Sequence, residues 1–128
     1  MEPRIQPLHY DYTEFALAKA FFFRAWCEFA RERGALLPID LSGACKYGSL
    51  FMHDLYGGVI EGHYAHQYNR IAGRLVDLSH DASDVGAMRE PYSHDPAYFD
   101  IPEYRVALIA CQPRVDRWVS AYLLETGS

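Results

Sequence analysis

The chain has 128 residues, half of them hydrophobic and 23% charged, which suits a single domain spanning 1–128 with a modest core. A formal charge of −5 argues against a nucleic-acid partner, because a broad phosphate footprint needs a basic stripe. Three cysteines, odd in number and far apart, argue against a disulfide framework and for a reducing, cytoplasmic setting.

Met1 to Arg4 do not open a signal peptide. The apolar stretch Phe15 to Ala30 is interrupted by Lys19, Arg24 and Glu28, so no membrane partner is expected. Asp11-Tyr12-Thr13-Glu14 has capping-box spacing and predicts a helix from Tyr12 to Arg33, stopped by Gly34. At about 100° per residue, Glu14, Arg24, Glu28, Arg31 and Glu32 form a wet stripe. Phe15, Phe22, Trp26 and Phe29 point elsewhere, into the core, and Cys27 falls on their side as an inert thiol. After a connector around Pro38, Ser42 is expected to cap a second helix, Gly43 to Tyr56, closed by Gly57-Gly58. Three short strands follow: Val59 to Tyr64, His66 to Ile71 and, beyond an Ala72-Gly73 turn, Arg74 to Ser79. His80 to Asp100 reads as a long surface loop. Asp100-Ile101-Pro102-Glu103 opens a helix to about Cys111, and Pro113 starts a last one ending near Leu124. The fold class is therefore α+β: N-terminal helices packed on a short antiparallel meander, then C-terminal helices.

Cys45, His66 and Asp77 carry the chemistry. A thiol needs a base to become a thiolate, and an imidazole needs a carboxylate to hold its tautomer and stabilise the imidazolium. Cys45 falls in the first turn of the second helix, where unpaired amide hydrogens and the macrodipole favour a thiolate and could hold an oxyanion. If Ala72 and Gly73 are the central residues of the turn, Tyr68 faces Asp77 and His66 faces Ser79. His66, Tyr68 and Asp77 then share a sheet face, with His66 and Asp77 diagonal neighbours about 7–8 Å apart. A one-residue slip would separate them.

Gly43-Ala44-Cys45, Asp54-Leu55-Tyr56-Gly57-Gly58, His66-Gln67-Tyr68-Asn69-Arg70-Ile71, Gly73 and Val76-Asp77-Leu78-Ser79 together resemble the YunG-like bacterial family. The topology is similar to the wider papain-like superfamily, in particular its transglutaminase-like and NlpC-type branches. The resemblance implies Cys45 as nucleophile, His66 as base and Asp77 as orienting group, with Ser42, Ala44 and Tyr68 beside the substrate. It also implies a hydrolase or acyl transferase acting without a cofactor on a small amide, a thioester or a protein. The YunG-like pattern places Gln before the Cys, where this chain has Ala44, and Trp two residues after the His, where it has Tyr68. Loss of that Gln removes a donor and leaves a second reading open, a non-catalytic protein of the same fold with a binding or regulatory role.

Each residue also has a plainer explanation: Cys45 as a small buried residue, His66 as a satisfied sheet histidine, Asp77 as a strand-end carboxylate. Zinc is a third possibility, through His63 and His66 with Cys45 or His53. Residues three apart on one continuous strand face opposite ways, so that site requires a turn between the histidines, and no metal is expected. His9, His80 and His94 read as solvated. Tyr92 to Pro96 and Ala97 to Phe99 either wall a cleft beside the cluster or cover the core. Arg105, Arg114 and Arg117 read as a solvated face or as contacts for an acidic partner.

Overall fold

The computed structural model of the protein describes residues 7–127. The reading of Met1 to Arg4 lies outside these residues. Helix α1 spans Tyr12–Glu32, and its first turn is capped as the sequence predicts: Asp11 accepts a hydrogen bond from the Glu14 amide at 2.9 Å. Its buried side carries Ala18, Phe21, Phe22, Trp26 and Ala30, while Phe15 and Phe29 are half-buried against the core edge. Cys27 is half-buried, its Sγ directed toward Pro38 O at 3.9 Å.

Helix α2, Cys45–Tyr56, starts two residues later than expected and its cap position is Ala44, which makes no side-chain cap bond. Ser42 is not the cap, because its groups are used by another segment. Its Oγ lies 3.1 Å from Ser83 Oγ and accepts from the Asp84 amide. Asp84 in turn accepts from Gly43 N at 2.8 Å, and Asp40 accepts from the amides of both Ser42 and Ser83. This reciprocal clamp ties the approach to α2 to a short helix, α3, at Ser83–Gly86.

The sheet consists of β1 (Val59–His63), β2 (His66–Ile71) and β3 (Arg74–Val76), antiparallel in the order β1-β2-β3. Ala72 and Gly73 both have positive φ, 52° and 77°, the pattern of a tight hairpin turn whose twist matches the strands. Ile71 pairs with Arg74 and Asn69 with Val76, which is the predicted register. Strand β3 stops at Val76 rather than Ser79 because the Asp77 carboxylate accepts from the amide and hydroxyl of Ser79, turning the chain out of the ladder. At the other hairpin, Tyr64 and Ala65 form a turn and His63 pairs directly with His66.

The segment expected as loop contains α3 and a 3₁₀ helix, Pro96–Asp100, capped by Asp95. Helix α4 then runs unbroken from Pro102 to Thr126 with Pro113 inside it. Asp100 is not its cap; that position is Ile101, and Asp100 pairs instead with Arg105 at 3.2 Å. A proline removes one helical donor and normally kinks or ends a helix. Here the flanking turns are held on both sides of Pro113 by buried Cys111, Val115, Trp118 and Val119. The core is the aromatic junction of α1, α2 and α4, where Phe22 meets Trp118 edge-on at 5.3 Å and Phe51 at 5.4 Å. The α+β class is thus the observed one, with α2 lying between α4 and β2. Among the described residues no helix is long and apolar enough to cross a membrane.

Candidate active site

Cys45 is the first residue of α2, and the first intrahelical bond after it is donated by Gly48 to Ala44 O at 2.8 Å. The amide of Cys45 therefore has no acceptor within the helix. His66 opens β2 and is 2% exposed. Its Nε2 lies 2.7 Å from Oδ2 of Asp77, while Oδ1 of the same carboxylate accepts from Ser79 N at 3.1 Å and Ser79 Oγ at 3.2 Å. With both oxygens engaged the carboxylate is held in place, and the imidazole has only Nδ1 left to offer. The Cys45 sulfur is near enough to that ring to favour its protonated form. The directed hydrogen bond of the sulfur goes elsewhere, from Sγ to Oε1 of Gln67 at 3.1 Å.

Two effects compete at His66. Burial disfavours the imidazolium; Asp77, through its hydrogen bond and its charge, together with the sulfur of Cys45, favours it and prevails, so the pKa rises from 6.5 to about 9. Tyr92 covers the pair. Its ring lies 6.2 Å from that of His66 and 5.4 Å from that of Tyr68, and its own phenol is pushed up to about 12 by burial and by the Asp77 carboxylate. The loop bearing Tyr92 therefore closes over the histidine.

The structure brings Cys45, His66 and Asp77 together and gives the other expected site residues packing or clamping roles. Tyr68 is 2% exposed and donates its hydroxyl to Tyr92 O at 2.8 Å, so it packs behind His66 instead of facing a ligand. Ala44 is 1% exposed within the core cluster, and Ser42 is held in the clamp with Ser83 and Asp84. Ala44 and Tyr68 present no free surface to a substrate, and Ser42 is half-buried with its hydroxyl engaged. The turn that a paired-histidine metal site requires is present. The ring nitrogens of His63 are nonetheless occupied, Nδ1 accepting from Ala65 N and Nε2 lying 3.3 Å from Pro91 O. No group of three or more His, Cys, Asp and Glu is arranged for a metal among the described residues. His94 is not merely solvated: its Nδ1 accepts from Gly62 N at 3.1 Å and pins the aromatic segment to β1. Arg114 is committed to Glu32 in a two-point pair at 2.9 and 3.2 Å.

Sequence reasoning missed Gln67 and Asn69. Asn69 donates to Ser49 O at 2.8 Å and joins β2 to the second turn of α2, which fixes where Cys45 stands relative to His66. Beneath Cys45 is a cavity of about 10 Å³ lined in part by Ser49, Gln67, Asn69, Asp77 and Ser79, about the space of one water molecule and polar enough to hold it. The available signal was His66-Gln67-Tyr68-Asn69, polar or aromatic throughout in a segment that reads as a strand, and the structure buries all four. A strand that buries polar groups on both sides must satisfy each of them. Comparison with known proteins found no matching family model, no matching curated protein and no matching solved structure.

Proposed function

We propose that the protein is a cysteine-dependent hydrolase or acyl transferase acting on an amide or thioester, with Cys45 as nucleophile, His66 as general base and acid, and Asp77 as the group that orients His66. The observation that carries this reading is the buried 2.7 Å His66–Asp77 pair set beside the thiol at the start of α2. The resemblance to the YunG-like family and the papain-like superfamily supports it, since the nucleophile opens a helix and the base and carboxylate come from adjoining strands. Three free cysteines suit a reducing, cytoplasmic setting.

In this mechanism the imidazolium that Asp77 maintains favours loss of the Cys45 proton to solvent, and the thiolate attacks the acyl carbon. The free amide of Cys45 donates to the oxyanion that forms. Collapse of the intermediate breaks the bond to nitrogen or sulfur, the imidazolium protonates the departing amine or thiol, and the acyl group stays on Cys45 as a thioester. Water, or an acceptor amine in the transfer reaction, then gives its proton to His66 and attacks that thioester. The Cys45 sulfur leaves as a thiolate beside the imidazolium, which restores the attacking pair. Asp77 stabilises the imidazolium at each stage.

A non-catalytic binding protein is the second reading, favoured by the hydrogen bond of the thiol to an acceptor, Gln67, and by the burial of Ala44 and Tyr68. Iodoacetamide labelling near neutral pH decides between them. Cys27 is the matched control, being half-buried like Cys45, whereas Cys111 is buried and its thiol is pushed up by that burial. Selective labelling of Cys45 that His66→Ala removes is the expected result. Equal, slow labelling of Cys45 and Cys27 would overturn the catalytic reading.

A further inference from the structure

The Gln67 amide is oriented by two bonds that act in opposite senses. Its Nε2 donates to His63 O at 2.5 Å, in the β1–β2 hairpin, and its Oε1 is 3.1 Å from the Cys45 sulfur. Rotating the amide by half a turn would set Oε1 against a carbonyl oxygen, two acceptors face to face, so the observed orientation is the one the hairpin imposes. Gln67 is 1% exposed and has no bulk solvent to turn toward. The sulfur consequently faces an acceptor. An acceptor stabilises S–H, which can donate to it, and repels a thiolate, which cannot.

We propose that Gln67 is a brake on Cys45: it holds the nucleophile in its thiol form at rest, opposing the pull of the His66–Asp77 pair, until motion of the cysteine side chain or a ligand breaks the bond. This rests on the reading of Cys45 as nucleophile and adds a positioning residue that regulates it. Two neighbours act on the sulfur's proton from opposite sides. Asp77, 2.7 Å from His66 Nε2, maintains an imidazolium whose charge favours the thiolate, whereas Oε1 of Gln67 keeps the proton on the sulfur. Gln67 and Cys45 are held in register by Asn69, whose bond to Ser49 O locks β2 to α2, so the brake is built into the packing of strand on helix.

The test compares iodoacetamide labelling of Cys45 between pH 5.5 and 9 in the full-length protein and in its Gln67→Met, His66→Ala and doubly substituted variants, with Cys27 as internal reference. Methionine keeps the length of the side chain and removes the acceptor. The expected result is that Gln67→Met labels about tenfold faster than wild type near pH 6.5, the scale of one hydrogen bond, and that adding His66→Ala abolishes the gain. Equal or slower labelling of Gln67→Met, with His66→Ala still slowing the wild type, would overturn the brake and leave the nucleophile assignment standing. No effect of His66→Ala in either background would overturn both. Because Gln67→Met also deprives His63 O of its donor, a measurement on the wild type serves if that variant does not fold. An infrared S–H stretching band, lost in Cys45→Ser, is expected at neutral pH at a frequency lowered by hydrogen bonding; its absence would mean a resting thiolate and would refute the brake.

Discussion

Raising the pH through the titration of His66 should withdraw a measurable part of the stability of this fold. In the unfolded chain the imidazole titrates near 6.5, and in the folded protein near 9. Below pH 6.5 the ring is charged in both states and the pair with Asp77 contributes fully. Between those values the folded state binds more proton than the unfolded state, so stability falls as pH rises, and above about 9 the contribution is gone. An interval from 6.5 to about 9, at ~1.4 kcal/mol per pH unit, corresponds to about 3 kcal/mol. Both side chains are almost fully buried, 2% and 3% exposed, so solvent screens little of it. The Cys45 sulfur supplies part of the effect, so about 3 kcal/mol is the upper bound on the share of Asp77. Urea unfolding of wild type and Asp77→Asn at pH 6, 7.5, 9 and 10 measures that share. The wild type is expected to lose more than the variant between pH 6 and 9, by up to about 3 kcal/mol, and Cys45→Ser to fall between them. Equal declines in wild type and Asp77→Asn would refute the argument, because the asparagine cannot hold an imidazolium by charge.

Two further substitutions test the frame around the site. Gly62 has φ 130°, and a Cβ there would lie 2.2 Å from His66 O, so Gly62→Ala must displace the hairpin that carries the histidine. A loss of about 3 kcal/mol or more in urea unfolding is expected, and a loss below about 1 kcal/mol would show that the hairpin yields cheaply. Pro113 lies on the exposed side of α4, so Pro113→Ala should restore a helical donor and raise stability by about 1 kcal/mol. A fall in the thermal midpoint would instead make the proline a restraint on the unfolded chain.

What could be read from the sequence was whatever acts over a few residues. Asp11 finds Glu14 one turn away, Gly57 and Gly58 end a helix, and Ala72-Gly73 makes a two-residue turn, each by local stereochemistry that holds in any tertiary setting. Because a hairpin turn dictates which residues face each other for several positions on either side, the approach of His66 to Asp77 was legible too. The rest depended on partners distant in the chain. Ser42 has the chemistry of a helix cap, but a segment 41 residues away competes for its hydroxyl. Pro113 has the signature of a helix start, yet packing on α2 and α1 carries the helix through it. Gln67 is the clearest case. Strand alternation sends it to the opposite side of β2 from His66, so nothing in the spacing pairs it with Cys45, 22 residues earlier. Only the packing of α2 against β2, fixed by Asn69 and Ser49, brings its carbonyl oxygen to the sulfur. Local rules thus placed the acid–base pair, and the tertiary fold alone decided what faces the nucleophile.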